Sequence, residues 1–102
     1  MTGGEADAIL GRIARGEMEL ERTRHCTEEL VGHGYTLQDI RPLIRTGARE
    51  AAPEWTQEHR EYRVRILGRS LDGRPTRLVL GLRTSGPQTL VTIMPVRGNR
   101  LR

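Results

Sequence analysis

The sequence predicts an α+β domain in which N-terminal helices pack on one face of a three- to four-stranded antiparallel sheet. Three observations carry that prediction. Apolar residues recur at helical spacing up to about Gly47, they alternate with a period of two from Arg60 onward, and Asp72-Gly73 and Ser85-Gly86-Pro87 punctuate the alternating part as turns.

Met1 to Gly4 is expected to be loose. From Glu5 to about Arg15, the stripe of Ala6, Ile9, Leu10 and Ile13 predicts a helix, with acids near its start, Arg12 and Arg15 near its end and Gly16 as its stop. Gly11 inside it costs about 1 kcal/mol relative to alanine, so the helix depends on packing. Met18 to Arg22 is a connector or short strand. Thr23 is placed to cap a second helix, in which Cys26, Leu30 and Val31 recur on the apolar side and which stops near Gly34. Thr36 and Asp39 repeat a capping signature for a third, with Leu37, Ile40, Leu43 and Ile44 as its apolar face and Gly47 as its end; Pro42 is expected to bend it.

Ala48 to Ala52 reads as an extended edge closed by Pro53, and Glu54 to His59 as a polar loop around Trp55. Along Arg60 to Leu67, Tyr62, Val64 and Ile66 point one way and Glu61, Arg63, Arg65 and Leu67 the other. After the Asp72-Gly73 hairpin, Leu78, Leu80 and Leu82 share one face of the next strand, and Arg77 and Arg83 take the other. Gln88 to Met94 forms the last strand. If Val91 and Ile93 face the core, Thr92 stands on the arginine-bearing face, and a one-residue slip would reverse this. The chain is one domain of 102 residues: an N-terminal helix over 1–17, a core over 18–96 and a basic tail over 97–102.

Phe is absent and Trp and Tyr number one and two, so the core must be aliphatic. The lone Cys26 excludes an internal disulfide, and one Cys with scattered His25, His33 and His59 lacks the spacing of a zinc site, so no metal or other cofactor is expected. No apolar run approaches the roughly 20 residues of a membrane span and no signal-peptide pattern is present, which predicts a cytoplasmic protein without a membrane partner. All 17 basic residues are arginine. Residues 1–59 carry seven Arg against eleven acids, a balance of −4, whereas residues 60–102 carry ten Arg against two acids, or +8. Guanidinium groups grip phosphate through paired hydrogen bonds, so the basic half predicts a polyanion surface, with nucleic acid as the expected partner.

Arg24-His25 opening a helix, the Gly34-Tyr35-Thr36 turn into a helix ending at Thr46-Gly47, the Asp72-Gly73-Arg74-Pro75 hairpin and the final Leu90-Val91-Thr92-Ile93 together resemble the domain-of-unknown-function 4258 family of small bacterial proteins. The resemblance spans Glu19 to Val96 and rests on order and spacing. It implies the ribonuclease-toxin fold of barnase, colicin ribonucleases and RelE-type toxins, and an antitoxin-like protein partner. The family pattern after the histidine usually reads H-A-x-x-R-M-x-x-R. Here those later positions are Cys26, Glu29, Leu30 and His33, so both arginines are missing, and if the second serves catalysis or RNA binding, His33 has to substitute for it or the activity is lost.

Metal-independent RNA cleavage needs a base, an acid and cations around the phosphate. The candidate set is His25 as base or acid, Arg63 and Arg65 as phosphate holders and Thr92 as hydrogen-bond donor to it. Arg24, Arg77, Arg83 and Arg97 extend the expected RNA surface, with Tyr35 and Trp55 as candidates to stack on bases. The leading expectation is a toxin-like, RNA-directed protein, either a small metal-independent endoribonuclease or a descendant of one. The alternative is a non-catalytic nucleic-acid- or protein-binding module on the same fold, and a third reading is an accessory protein whose acidic helical half docks on a basic partner.

Overall fold

A computed structural model of the chain describes residues 1–96. Within them lie three α-helices, α1 (Gly3–Ala14), α2 (Arg24–Gly32) and α3 (Ile40–Thr46), and a six-stranded mixed sheet. The strands are β1 (Leu20–Arg22), β2 (Ala48–Arg49), β3 (Glu54–Thr56), β4 (Glu61–Arg69), β5 (Pro75–Leu82) and β6 (Gln88–Pro95). Their order is β1-β6-β5-β4-β2, with β3 also paired to β4. The α+β class is as predicted, but the sheet is larger than three to four strands and is not wholly antiparallel, because β1 runs parallel to β6 with Leu20 opposite Gln88. Arg97 and the rest of the predicted basic tail lie outside the described residues.

Helix α1 starts two residues earlier than its apolar stripe suggests. Thr2 accepts a hydrogen bond from the Glu5 amide at 3.0 Å while the Glu5 carboxylate accepts one from the Thr2 amide at 2.9 Å, a reciprocal cap that orders the segment expected to be loose. Thr23 caps α2 from one side only, accepting from the Cys26 amide at 3.0 Å, and its own hydroxyl donates to the Val91 carbonyl at 3.0 Å, which ties the helix start to β6. Val31, expected on the apolar side of α2, is exposed instead. Between α2 and α3, Leu37–Asp39 forms one 3-10 turn. The buried Asp39 carboxylate accepts from the Thr36 amide at 2.9 Å and from the Leu71 amide at 2.8 Å, so the same side chain that starts this turn also anchors the β4–β5 hairpin. The α-helical stretch begins at Ile40, so Pro42 falls in its first turn, where backbone amides have the least to lose, rather than in an interior it would bend.

One core joins the layers. Leu10 and Ile13 of α1, Cys26 and Leu30 of α2, and Leu43 and Ile44 of α3 meet Val64, Ile66, Leu78, Leu80, Leu82, Leu90 and Ile93 from one face of the sheet. Burial pushes the Cys26 thiol up to about 11, which fits a small core residue rather than a reactive one. Trp55 lies on a strand, not in a loop: β3 pairs with β4 so that Trp55 stands opposite Tyr62, and the two rings meet edge-on at 5.0 Å.

The last strand departs from strict alternation. Val79 of β5 pairs with Thr92, but Leu80 pairs with Leu90, so Val91 is an extra residue in a β-bulge. The buried apolar positions of β6 are therefore Leu90 and Ile93, three apart, with Gln88 buried two residues before Leu90. Val91, expected in the core beside Ile93, is carried out to the opposite face, and Thr92 stands there with it.

Candidate functional site

The sheet face away from the helices holds a concavity of about 440 Å³ lined by Arg63 and Arg65 of β4, Arg77 and Val79 of β5, Val91, Thr92 and Met94 of β6, and Ala51, Ala52 and Glu54 from the β2–β3 connection and β3. The pleat explains the first two strands: Arg63, Arg65, Arg77 and Val79 alternate with the buried Val64, Ile66, Leu78 and Leu80. The bulge explains the third, because it turns Val91 and Thr92 out together. The result is an apolar floor under a rim of guanidinium groups.

The arginines are not the uninterrupted cationic row that the sequence suggests. Glu61, buried beneath them, accepts from Arg63 Nε at 2.6 Å and from Arg83 Nη2 at 3.4 Å. Gly81 makes this possible, since a Cβ there would overlap the Glu61 carboxylate. Arg77 donates twice to Glu50, at 2.6 and 3.0 Å. Glu54 stands directly across the ladder from Arg63. Among the described residues, Arg65 has no carboxylate within ion-pair distance, and it is exposed. Glu61 was legible as a neighbour on the Arg63 face, two residues away; Glu50 and Glu54 were not, because they reach the site from another part of the chain.

Thr92 supplies the second distinctive feature. Its Oγ1 is buried and has no hydrogen-bond partner among the described residues. Buried hydroxyls are seldom left in this state, so a group that fills the concavity and accepts a hydrogen bond would relieve a standing cost.

The structure therefore brings Arg63, Arg65, Arg77 and Thr92 together, and it leaves the other predicted site residues elsewhere. His25 does not line the concavity. It is exposed on α2, whose Cys26 and Leu30 pack on the opposite face of the sheet, and its Nε2 lies 3.9 Å from Glu29. Glu29 in turn bonds His33 Nε2 at 2.6 Å, so the residue at the second family-arginine position is engaged on the same helix. Arg24 is also exposed there, with Glu28 at 3.7 Å. Arg83 reaches the site through Glu61 alone. Tyr35 is a core residue: it is 5% exposed, its hydroxyl is 2.9 Å from Thr76 Oγ1 and the Arg74 guanidinium covers its ring at 4.1 Å, so no base can stack on it. Trp55 is half exposed, but its pairing with Tyr62 places it on the helix-bearing face, away from the concavity. Among the described residues no cluster of His, Cys, Asp and Glu could hold a metal ion, and no helix is long and apolar enough to cross a membrane.

The paired hydrogen bonds from Arg77 hold the Glu50 carboxylate below its ordinary value of 4.5. A carboxylate lowered on folding adds stability above its unfolded value and loses it as pH falls through the folded one. Melting temperature should accordingly fall below pH of about 4.5 less steeply in Glu50→Gln than in the wild type, a difference that calorimetry across an acid series measures. Equal slopes would show that the pair is too solvated to matter.

No family model matches this chain, and no curated protein or solved structure matches it either.

Proposed function

We propose that the protein is a non-catalytic RNA-binding module that grips phosphate on the open face of its sheet. The observation that carries this reading is the convergence of Arg63, Arg65 and Arg77 on one concavity with the unpartnered Thr92 hydroxyl, in the absence of His25. An RNA phosphate accepts hydrogen bonds from guanidinium groups and from a hydroxyl, and the floor of Val79, Val91 and Met94 offers an apolar seat for a sugar or base beside it. Arg65 makes the first contact, being exposed and without an acidic partner among the described residues. Arg63 and Arg77 are oriented by Glu61 and Glu50 and present their remaining N–H groups. Helices on one side and a basic sheet face on the other is also the arrangement that the resemblance to RelE- and barnase-like ribonuclease toxins implies. In this reading the chain keeps that surface, without an acid–base group at it.

Fluorescence anisotropy with a labelled mixed-sequence single-stranded RNA, in chelator, tests the proposal. Three phosphate contacts predict a log–log salt slope of about −2, and Arg65→Glu should weaken binding about tenfold or more at low salt. The RNA should remain intact. Cleavage that disappears in His25→Ala would replace this reading with a ribonuclease, and binding that is absent or indifferent to salt would remove RNA from the account.

A further inference from the structure

A second depression of about 800 Å³ runs between α1 and the α3–β2 segment, on the side of the molecule that carries the helices. Its floor is apolar, with Leu10, Ile44 and Ile66, and its rim carries Arg15, Arg45 and Arg49. The sign of that rim is notable against its surroundings. Residues 1–59 hold eleven acids and seven arginines, yet among the described residues Asp7 is the one acid lining the groove, and it is already paired with Arg49 at 2.9 Å. Arg15 is likewise paired, with Glu17 at 2.5 Å, whereas among the described residues Arg45 has no carboxylate within ion-pair distance, and it is exposed.

Gly11 adds an independent observation. Glycine in mid-helix weakens the helix relative to alanine, and one packing reason to keep it is a neighbour that approaches too closely for a side chain. That explanation holds for Gly47 but not here. A Cβ on Gly11 would meet one atom within 4 Å, the tip of the flexible Arg15 side chain at 3.3 Å. Packing within the chain does not require the glycine. Its bare Cα forms part of the groove wall, where any side chain would narrow the opening between the two helices.

We propose that this groove is a docking site for an acidic amphipathic segment of a partner protein. Apolar side chains of such a segment would sit on Leu10, Ile44 and Ile66 at the level of Gly11, and a carboxylate beside them would meet Arg45, the rim arginine with no acidic partner among the described residues. The groove is separate from the sheet-face concavity, so the two sites can be occupied together.

The test uses the full chain and a short fluorescein-labelled peptide with leucines at i, i+4 spacing separated by glutamates, beside a twin in which every glutamate is lysine. The glutamate peptide should bind about tenfold tighter than its twin, and Arg45→Glu should abolish that preference. Gly11→Leu, which fills the groove, should weaken the glutamate peptide while leaving RNA binding unchanged. Amide shifts on titration should centre on Leu10, Gly11 and Ile44. Since Arg45 is exposed, its variant keeps the test valid even if Gly11→Leu misfolds. Equal affinity for both peptides, or no binding of either, overturns the proposal. So does RNA binding that weakens in Arg45→Glu, which would assign the rim to nucleic acid.

Discussion

Gly47→Ala should destabilise the protein by about 2–3 kcal/mol, the upper part of the roughly 1–3 kcal/mol expected when a methyl group is forced into a filled site. For a domain of this size that is a fall in melting temperature of roughly 10–20 °C. Gly47 ends α3 with an extended backbone, φ −84 and ψ 176, so alanine meets no torsional objection. The objection is steric. A Cβ would stand 2.6 Å from the Leu43 carbonyl oxygen, 2.7 Å from Ile66 Cγ2 and 2.9 Å from the Leu67 carbonyl oxygen. None of these can retreat cheaply: the Leu43 carbonyl accepts the bond from the Gly47 amide at 2.8 Å, Leu67 is in the β4 ladder, and Ile66 is buried in the core. Gly68 sits against the same point, where a Cβ would be 3.0 Å from the Gly47 Cα, so two glycines let the end of α3 lie directly on β4. Gly32→Ala is the matched control. It lies in α2 with nothing within 4 Å of its would-be Cβ and should be neutral or slightly stabilising. A Gly47→Ala protein that melts with the wild type would refute this close approach of helix and strand.

Gly47 was legible in the sequence as a helix stop, and that reading is correct as far as it goes. Its larger role depends on β4 lying beneath it, a contact between segments about twenty residues apart that no local pattern encodes. The same division runs through the molecule. Alternation along Tyr62–Ile66 and Leu78–Leu82, the Asp72-Gly73 turn and the Thr23 cap are local, and each is found where the sequence puts it. The Thr2 to Glu5 cap is equally local and was missed because the apolar stripe begins after it. Three features were beyond local reading in principle. β1 falls in the Met18 to Arg22 stretch read as a connector or short strand, but its parallel pairing with β6 is given by no local pattern. β3 is held by its ladder to β4 rather than by its own propensity. Val91 alternates correctly with Ile93 in sequence, yet the bulge that expels it is defined by the register with β5. The candidate site obeys the same rule: Thr92 and the strand arginines follow the pleat and meet, whereas His25 is fixed by a helix whose placement the sequence does not specify. The acids Glu50 and Glu54, brought in by the β2–β3 connection, show why a charge count along the chain overstated the cationic face.

Thr92→Val should raise stability and lower RNA affinity together, and this pairing of opposite signs separates a functional hydroxyl from a structural one. The two side chains have nearly the same shape, and valine suits a strand at least as well as threonine. The substitution removes a buried oxygen that has no partner among the described residues, so it relieves a desolvation cost. Stability should increase by about 1 kcal/mol, a rise in melting temperature of roughly 4–8 °C. Under the proposed RNA-binding reading the same hydroxyl would donate to a phosphate oxygen, and hydrogen bonds to charged groups contribute about 1.5–3 kcal/mol, so affinity should fall by roughly tenfold or more. Calorimetry on the free protein and anisotropy with labelled RNA read the two effects separately. A variant that melts lower would mean that the hydroxyl is satisfied within the protein. One that melts higher but binds RNA unchanged would mean that the concavity's ligand does not reach Thr92, and phosphate would then have to be held by the arginines alone. A more stable protein that binds less well is the expected combination, because a hydroxyl kept for a ligand costs the fold stability that its removal returns.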